Sequence, residues 1–174
     1  MSSAKELFAK INNASASSHP LASLNLTGEF LGKDYVYRNA TTFGSLTGDY
    51  KWYGGVLAPN GKIYGIPRDS TTVLEIDPVT KTTSTFGSFS GTFKWIGGVL
   101  APNGKIYGIP CNSTTVLEID PVAKTATTFG SLAGTWKWVG GVLAPNGKIY
   151  GIPFSSTTVL EIDTGCIGDF PWAL

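Results

Sequence analysis

Apolar and polar residues alternate in short runs through most of this 174-residue chain, and turn-forming residues cut the runs every few positions. Residues 52–57 form one run and 62–66 a second, separated by Pro59, Asn60 and Gly61, a tight turn in which Asn and Gly accept positive φ. Arg68, Asp69 and Ser70 make the next loop, 71–76 is a third run rich in β-branched residues, and Asp77 to Thr80 turns the chain into a fourth, 81–86. Each run suits a strand, and none has the 3.6-residue apolar spacing of a helix. Residues 3–12 differ: Ser3 and Glu6 are spaced as a capping box, and Leu7, Phe8 and Ile11 share a face, which predicts a short helix.

The four-run pattern recurs. Segments 41–83, 84–126 and 127–163 align without a gap at a spacing of 43, and the first two differ at only 10 of 43 positions. GGVLAPNGKIYGIP and STTVLEID are identical in all three. Four short strands per roughly 40–45 residues is the pattern of a propeller blade. The fold class expected is therefore all-β, a β-propeller of four-stranded blades with three blades per chain. The pairs Gly54-Gly55, Gly97-Gly98 and Gly140-Gly141 fit innermost strands that approach one another closely, or a simple bulge. Residues 1–36 read as an N-terminal arm, 37–163 as the three-blade array and 164–174 as a tail.

The order Phe86-Gly87-Ser88, Gly98-Val99, Pro102-Asn103-Gly104-Lys105-Ile106-Tyr107 and Val116-Leu117-Glu118-Ile119-Asp120-Pro121 resembles the NHL repeat and is similar to YVTN-type and streptogramin-lyase-like propellers. The resemblance covers residues 41–163. It implies a blade and leaves function open, since NHL-like propellers include binding modules, lyases and metal-dependent hydrolases. In place of the short apolar stretch and Asp that NHL units usually carry after the tyrosine, this chain has Gly108-Ile109-Pro110.

Three blades do not close a ring, and open sheet edges invite pairing with another chain. Two chains would make six blades, within the usual range of four to eight. The third unit ends at Asp163 without the fourth strand of its sisters, and the missing strand stands upstream of the first unit, at 37–44. A strand-exchanged homodimer is thus expected, residues 37–44 of each chain completing the partner's last blade. A decayed fourth blade in 1–36, and a fragment of a longer array, are the alternatives.

Composition narrows the function. Thirteen basic and 12 acidic residues leave a net charge of +1, which argues against a nucleic-acid partner bound by neutralising phosphates. No apolar run approaches the roughly 20 residues of a membrane span. The N-terminus lacks an apolar signal core, which points to the cytoplasm, so the sequons at Asn13, Asn25, Asn39 and Asn112 read as chance. Two cysteines, Cys111 and Cys166, read as free thiols. With one histidine, His19, outside the repeats, no catalytic triad, metal site or cofactor is expected, and the chain is read as a non-enzyme.

The repeats differ mainly at two loops that a meander brings to one face, while the invariant Asn-Gly and Asp-Pro turns occupy the other. Binding residues generally sit on loops held by a rigid scaffold. Candidate ligand residues are therefore Arg68, Asp69, Cys111, Asn112, Phe154 and Ser155 in one loop, with Tyr50, Trp52, Phe93, Trp95, Trp136 and Trp138 on the link into each blade. Strand alternation predicts that residues 50 and 52 of each pair point the same way. The recurring acids Glu75/Asp77, Glu118/Asp120 and Glu161/Asp163 read as turn and ion-pair residues, with Lys62 and Lys81 as partners. The leading reading is a non-catalytic binding or assembly scaffold whose variable face contacts a protein or small ligand. A multivalent lectin using the repeated tryptophans is the alternative, and a propeller lyase or lactonase the third.

Overall fold

A computed structural model describes residues 39–166. The expected helix at 3–12, His19, the 1–36 arm, residues 37–38 and the end of the tail lie outside the described residues. Among the described residues, eleven strands form three antiparallel sheets. The first blade holds β1 (Trp52–Leu57), β2 (Ile63–Pro67), β3 (Val73–Asp77) and β4 (Thr82–Phe86), in that spatial order. The second repeats it with β5 (Trp95–Leu100), β6 (Ile106–Pro110), β7 (Val116–Asp120) and β8 (Thr125–Phe129). The third has β9 (Trp138–Leu143), β10 (Ile149–Pro153) and a short β11 (Leu160–Ile162), with no fourth strand among the described residues.

Local chemistry sets the strand ends. Asn60 Oδ1 accepts the Lys62 amide at 3.1 Å, closing the first hairpin. Asp77 Oδ1 accepts the amides of Val79 and Thr80 at 2.9 and 3.0 Å, and Lys81 leaves that turn with a left-handed φ of 54°. The fourth run therefore begins at Thr82 rather than Lys81. The third run begins at Val73 rather than residue 71, because Ser70 Oγ turns back to accept the Thr72 amide at 3.2 Å. The second extends to Pro67, which faces Trp52 across a bulge where its missing N–H is tolerated.

Neighbouring blades meet along their inner strands, with β5 lying between β1 and β9. The glycine pairs serve both predicted purposes. A bulge falls between Trp52 and Gly55 in β1 and between Trp95 and Gly98 in β5. At the same point the backbones nearly touch: a Cβ on Gly97 would stand 3.1 Å from the Gly140 Cα.

The core is two layers, each shared by two blades. Ala58, Tyr64, Ile66 and Val73 of the first blade pack on Trp95, Ile106, Leu117 and Ile119 of the second. Ala101, Tyr107, Ile109 and Val116 of the second pack in the same way on Trp138, Ile149, Leu160 and Ile162 of the third. Each isoleucine plugs the next blade's second glycine: a Cβ on Gly98 would be 2.6 Å from Ile66 Cδ1, and one on Gly141 2.7 Å from Ile109 Cδ1.

Two glycine substitutions separate packing from backbone strain. Both Gly97 (φ 83°) and Gly61 (φ 79°) are left-handed, but nothing lies within 4 Å of a Cβ on Gly61. Gly61→Ala is expected to cost about 1 kcal/mol, and Gly97→Ala about 1–3 kcal/mol more as the inner strands separate. Urea unfolding of the two variants measures the difference.

Candidate functional site

The variable loops form the face expected of them, but they sort the candidate residues into two groups. Of the tryptophans that open each blade, Trp95 and Trp138 belong to the core, and Trp52 is partly exposed on the first blade. Trp95 is 2% exposed and Trp138 5%. Trp52, Trp95 and Trp138 donate their indole N–H to the carbonyls of Thr72, Thr115 and Thr158, each at 2.7 Å. Their polar edges are thus satisfied internally, and the two buried rings offer no face for stacking.

Two positions earlier, Tyr50 and Trp136 are exposed instead, and Phe93 is half-buried between Arg68 and Trp136. Tyr50, Phe93 and Trp136 all lie outside the strands with left-handed φ of 49°, 50° and 53°. The expected pairing of residues 50 and 52 on one face is corrected for this reason: alternation fails where the backbone leaves the extended region. For Phe93 and Trp136 an acceptor on the preceding blade supports this conformation; Tyr50 adopts it without one among the described residues. Asp69 Oδ1 takes the Phe93 amide at 2.7 Å, and Asn112 Oδ1 takes the Trp136 amide at 2.8 Å.

These positions bring the aromatics into a ladder across all three blades. The Arg68 guanidinium lies 3.5 Å from the Phe93 ring centre and 5.1 Å from that of Tyr50. It is also paired with Asp69 Oδ2 at 2.8 Å. Phe93 and Trp136 rings are 4.7 Å apart, and Trp136 and Phe154 6.0 Å. Tyr50 is 75% exposed, Phe154 65% and Trp136 40%, so the ladder is a solvent-facing surface. Ser155 is exposed at the ladder's far end. Cys111 does not join it as a ligand group: the thiol is fully buried, and burial pushes its pKa up, which keeps it unreactive.

Below the ladder lie two equivalent open clefts of about 420 and 430 Å³. Ser88, Ser90, Asn112, Ser113 and Thr114 line the first, with Lys94 and an edge of Trp95; Ser131, Ala133, Ser155, Ser156 and Thr157, with Lys137 and Trp138, take the same places in the second. Lys94 Nζ donates to the carbonyls of Arg68 and Gly91 at 3.1 and 2.7 Å. Lys137 Nζ donates to Cys111, Ser113 and Gly134 at 2.8–2.9 Å. Burial lowers the pKa of both amines. Sequence reasoning missed these lysines, although a lysine precedes the tryptophan in every repeat.

The opposite face carries the acids. Glu75 is 5% exposed and accepts Lys62 at 3.0 Å, Tyr64 at 3.0 Å, Ser84 at 3.2 Å and, from the next blade, Lys124 at 3.1 Å. The second cation is therefore Lys124 rather than the expected Lys81, because the pair crosses between blades. Burial pushes the Glu75 carboxyl up, but these donors outweigh it and hold the pKa at about 2. Asp77 and Asp120 cap turns, and the backbone amides they accept lower their pKa values. No three His, Cys, Asp or Glu side chains converge as a metal site among the described residues.

With the fold in view, comparison with known proteins is informative on architecture. No protein-family model matches the chain. No curated protein sequence matches it either. Solved structures do. A virginiamycin B lyase from Staphylococcus aureus superposes with a TM-score of 0.57 at 13% identity, covering 68% of this chain and 40% of the lyase. A streptogramin B lyase gives 0.54 at 10% identity, over 64% and 37%. An auxiliary nutrient binding protein from Bacteroides ovatus gives 0.51 at 12%, over 66% and 28%. The chain thus spans at most about two-fifths of the length of these structures, and the likeness establishes a β-propeller-like repeat fold. It also corrects the reading of the chain as a non-enzyme: the architecture is shared with lyases, so scarcity of catalytic residue types does not exclude catalysis.

The sign of the pH dependence follows from Glu75. Its folded pKa of about 2 lies below the ordinary 4.5, so its contribution is present above about pH 4.5 and lost as pH falls toward 2. Urea unfolding free energies at pH 7 and pH 3 should differ less in Glu75→Gln than in the unmodified chain, by roughly 2 kcal/mol.

Proposed function

We propose that the chain is a propeller binding module whose variable face takes a protein or small ligand through the Tyr50–Arg68–Phe93–Trp136–Phe154 ladder. The ladder itself carries the reading. Exposed aromatic rings and a guanidinium face in register are a surface for planar or apolar groups, and hydrophobic patches of this kind mark interaction sites on soluble proteins. In the same reading the blades are of NHL or YVTN type, and two copies close a six-bladed ring by exchanging residues 37–44. The ring would set two ladders about one axis, so a repetitive ligand gains avidity.

Carbohydrate binding is the second reading. The two hydroxyl-lined clefts favour it, since Ser and Thr oxygens suit polyols and the adjoining ladder offers rings for sugar faces. The stacking rings would be Trp136 and Phe154 on the ladder, while the clefts themselves expose only an edge of the buried Trp95 and Trp138.

Screening on a glycan array and a peptide array separates the two readings. A specific hit on either should weaken at least tenfold in Trp136→Ala and in Phe154→Ala, with little change in thermal midpoint. Trp138→Ala should instead lose about 3–5 kcal/mol of stability, as a core truncation does. Binding that survives both ladder substitutions contradicts the assignment.

A further inference from the structure

The two seams between blades define a repeating contact code, and the outer faces of the first and third blades carry its two unmatched halves. Three elements recur at both seams, and a fourth, an ion pair, is made at the first seam only among the described residues. An isoleucine plugs the next blade's glycine, as Ile66 does at Gly98 and Ile109 at Gly141. An asparagine donates to the next blade's turn carbonyl, as Asn60 does to Pro121 and Asn103 to Thr164 at 3.2 and 3.0 Å. Glu75 takes Lys124. Residue 69 or 112 accepts the amide of the next blade's left-handed aromatic.

Continuing each series by 43 positions gives donors and acceptors on opposite ends of this chain. The third blade offers Ile152, Asn146, Glu161 and Ser155; the first offers Gly55, the Pro78 carbonyl, Lys81 and the Tyr50 amide. Burial shows both halves uncovered. Ile66 and Ile109 are 0% exposed, but Ile152 is 51% exposed; Val73 and Val116 are buried, but Val159 is exposed. On the first blade Trp52, Ile63 and Ile76 are half-exposed where Trp95, Ile106 and Ile119 are sealed. Glu161, like Glu118, has only its own blade's lysine among the described residues, but its side chain is 49% exposed against 23% for Glu118 and 7% for Glu75.

We infer that these halves meet in trans: the third blade of one copy packs on the first blade of a second copy through Ile152 into Gly55, Asn146 onto the Pro78 carbonyl and Glu161 with Lys81. The occupant is a second copy because the first blade presents the complement of the third residue for residue, in charge as well as shape. In the β3–β4 register Val73 faces Phe86 and Leu74 faces Thr85. The same register on β11 would place the partner's Phe43 opposite Val159 and its Thr42 opposite Leu160. Phe43, 46% exposed, would then meet Tyr150 as Phe86 meets Tyr64 and Phe129 meets Tyr107, at 6.2 and 6.1 Å. The contact is head-to-tail, so two copies form a ring with two identical seams. This deepens the assembly reading above and rests on it.

Charge reversal tests the seam. Glu161→Lys alone and Lys81→Glu alone each put like charges at both seams of a homodimer, and each should run in native mass spectrometry as the 18.4 kDa chain. Mixed in equal amounts, the two variants match at both seams, one in the native sense and one reversed, so a heterodimer should appear at twice that mass. Because both variants are needed in folded form for that recovery, misfolding cannot mimic the expected result. If the unmodified chain is monomeric at 50–100 µM by this probe, at roughly the micromolar affinities at which weak contacts are still seen, both the assembly and the seam are overturned. If the unmodified chain is dimeric and each single variant stays dimeric, or the mixture gives no heterodimer, the seam is overturned while the dimer stands.

Discussion

Everything in this fold depends on one requirement: each four-stranded sheet has two apolar faces, and each face must find a neighbour. A meander of short strands cannot bury both of its faces alone. The sequence meets the requirement by making the two faces complementary. One carries Tyr64, Ile66 and Val73, the other Trp95, Ile106 and Leu117, and together they form a closed layer. The glycines follow from this packing, because the isoleucine of one blade occupies the space that a side chain on Gly98 or Gly141 would fill. The same rule extends to the polar rim, where Asn60 and Lys124 each reach across the seam.

That rule also explains the distribution of exposed apolar residues. Ile152, Val159 and Phe154 are the third-blade members of series whose earlier members are sheltered to varying degrees by a following blade, Ile66 and Val73 completely. On the proposed assembly, the chain carries two finished seams and the two halves of a third. β11 is short for the same reason: β3 and β7 each have a partner strand on both sides, whereas β11 has β10 alone among the described residues.

The repeat, its strand content and the face that varies were legible in the sequence, because identical 43-residue units expose their own turns and their own differences. The strand limits were read less well. Ser70 and Lys81 shift them through a side-chain turn and a left-handed residue, which hydrophobic pattern does not report. The candidate site was half legible. Loop variation singled out Arg68, Asp69, Asn112 and Phe154, which the structure gathers near one another, but the tryptophans looked like ligand groups because pattern alone does not distinguish an indole bonded to Thr115 from one facing water. The lysine pins and the Glu75–Lys124 pair were illegible for a different reason: they join residues from adjacent blades, and their spacing has meaning only once the blades are packed. The exclusion of enzymatic activity failed because it rested on residue types, whereas the fold is one that lyases share.

The central claim is that the outer edge of the third blade is a seam awaiting its complement. Hydrogen exchange at β11, read as a function of protein concentration, tests it most directly, since amide protection follows local opening. The account predicts that Leu160–Ile162 exchange quickly in dilute solution and approach the protection of β3 and β7 as concentration rises. Fast exchange of β11 at every concentration, with β3 and β7 protected throughout, would contradict it.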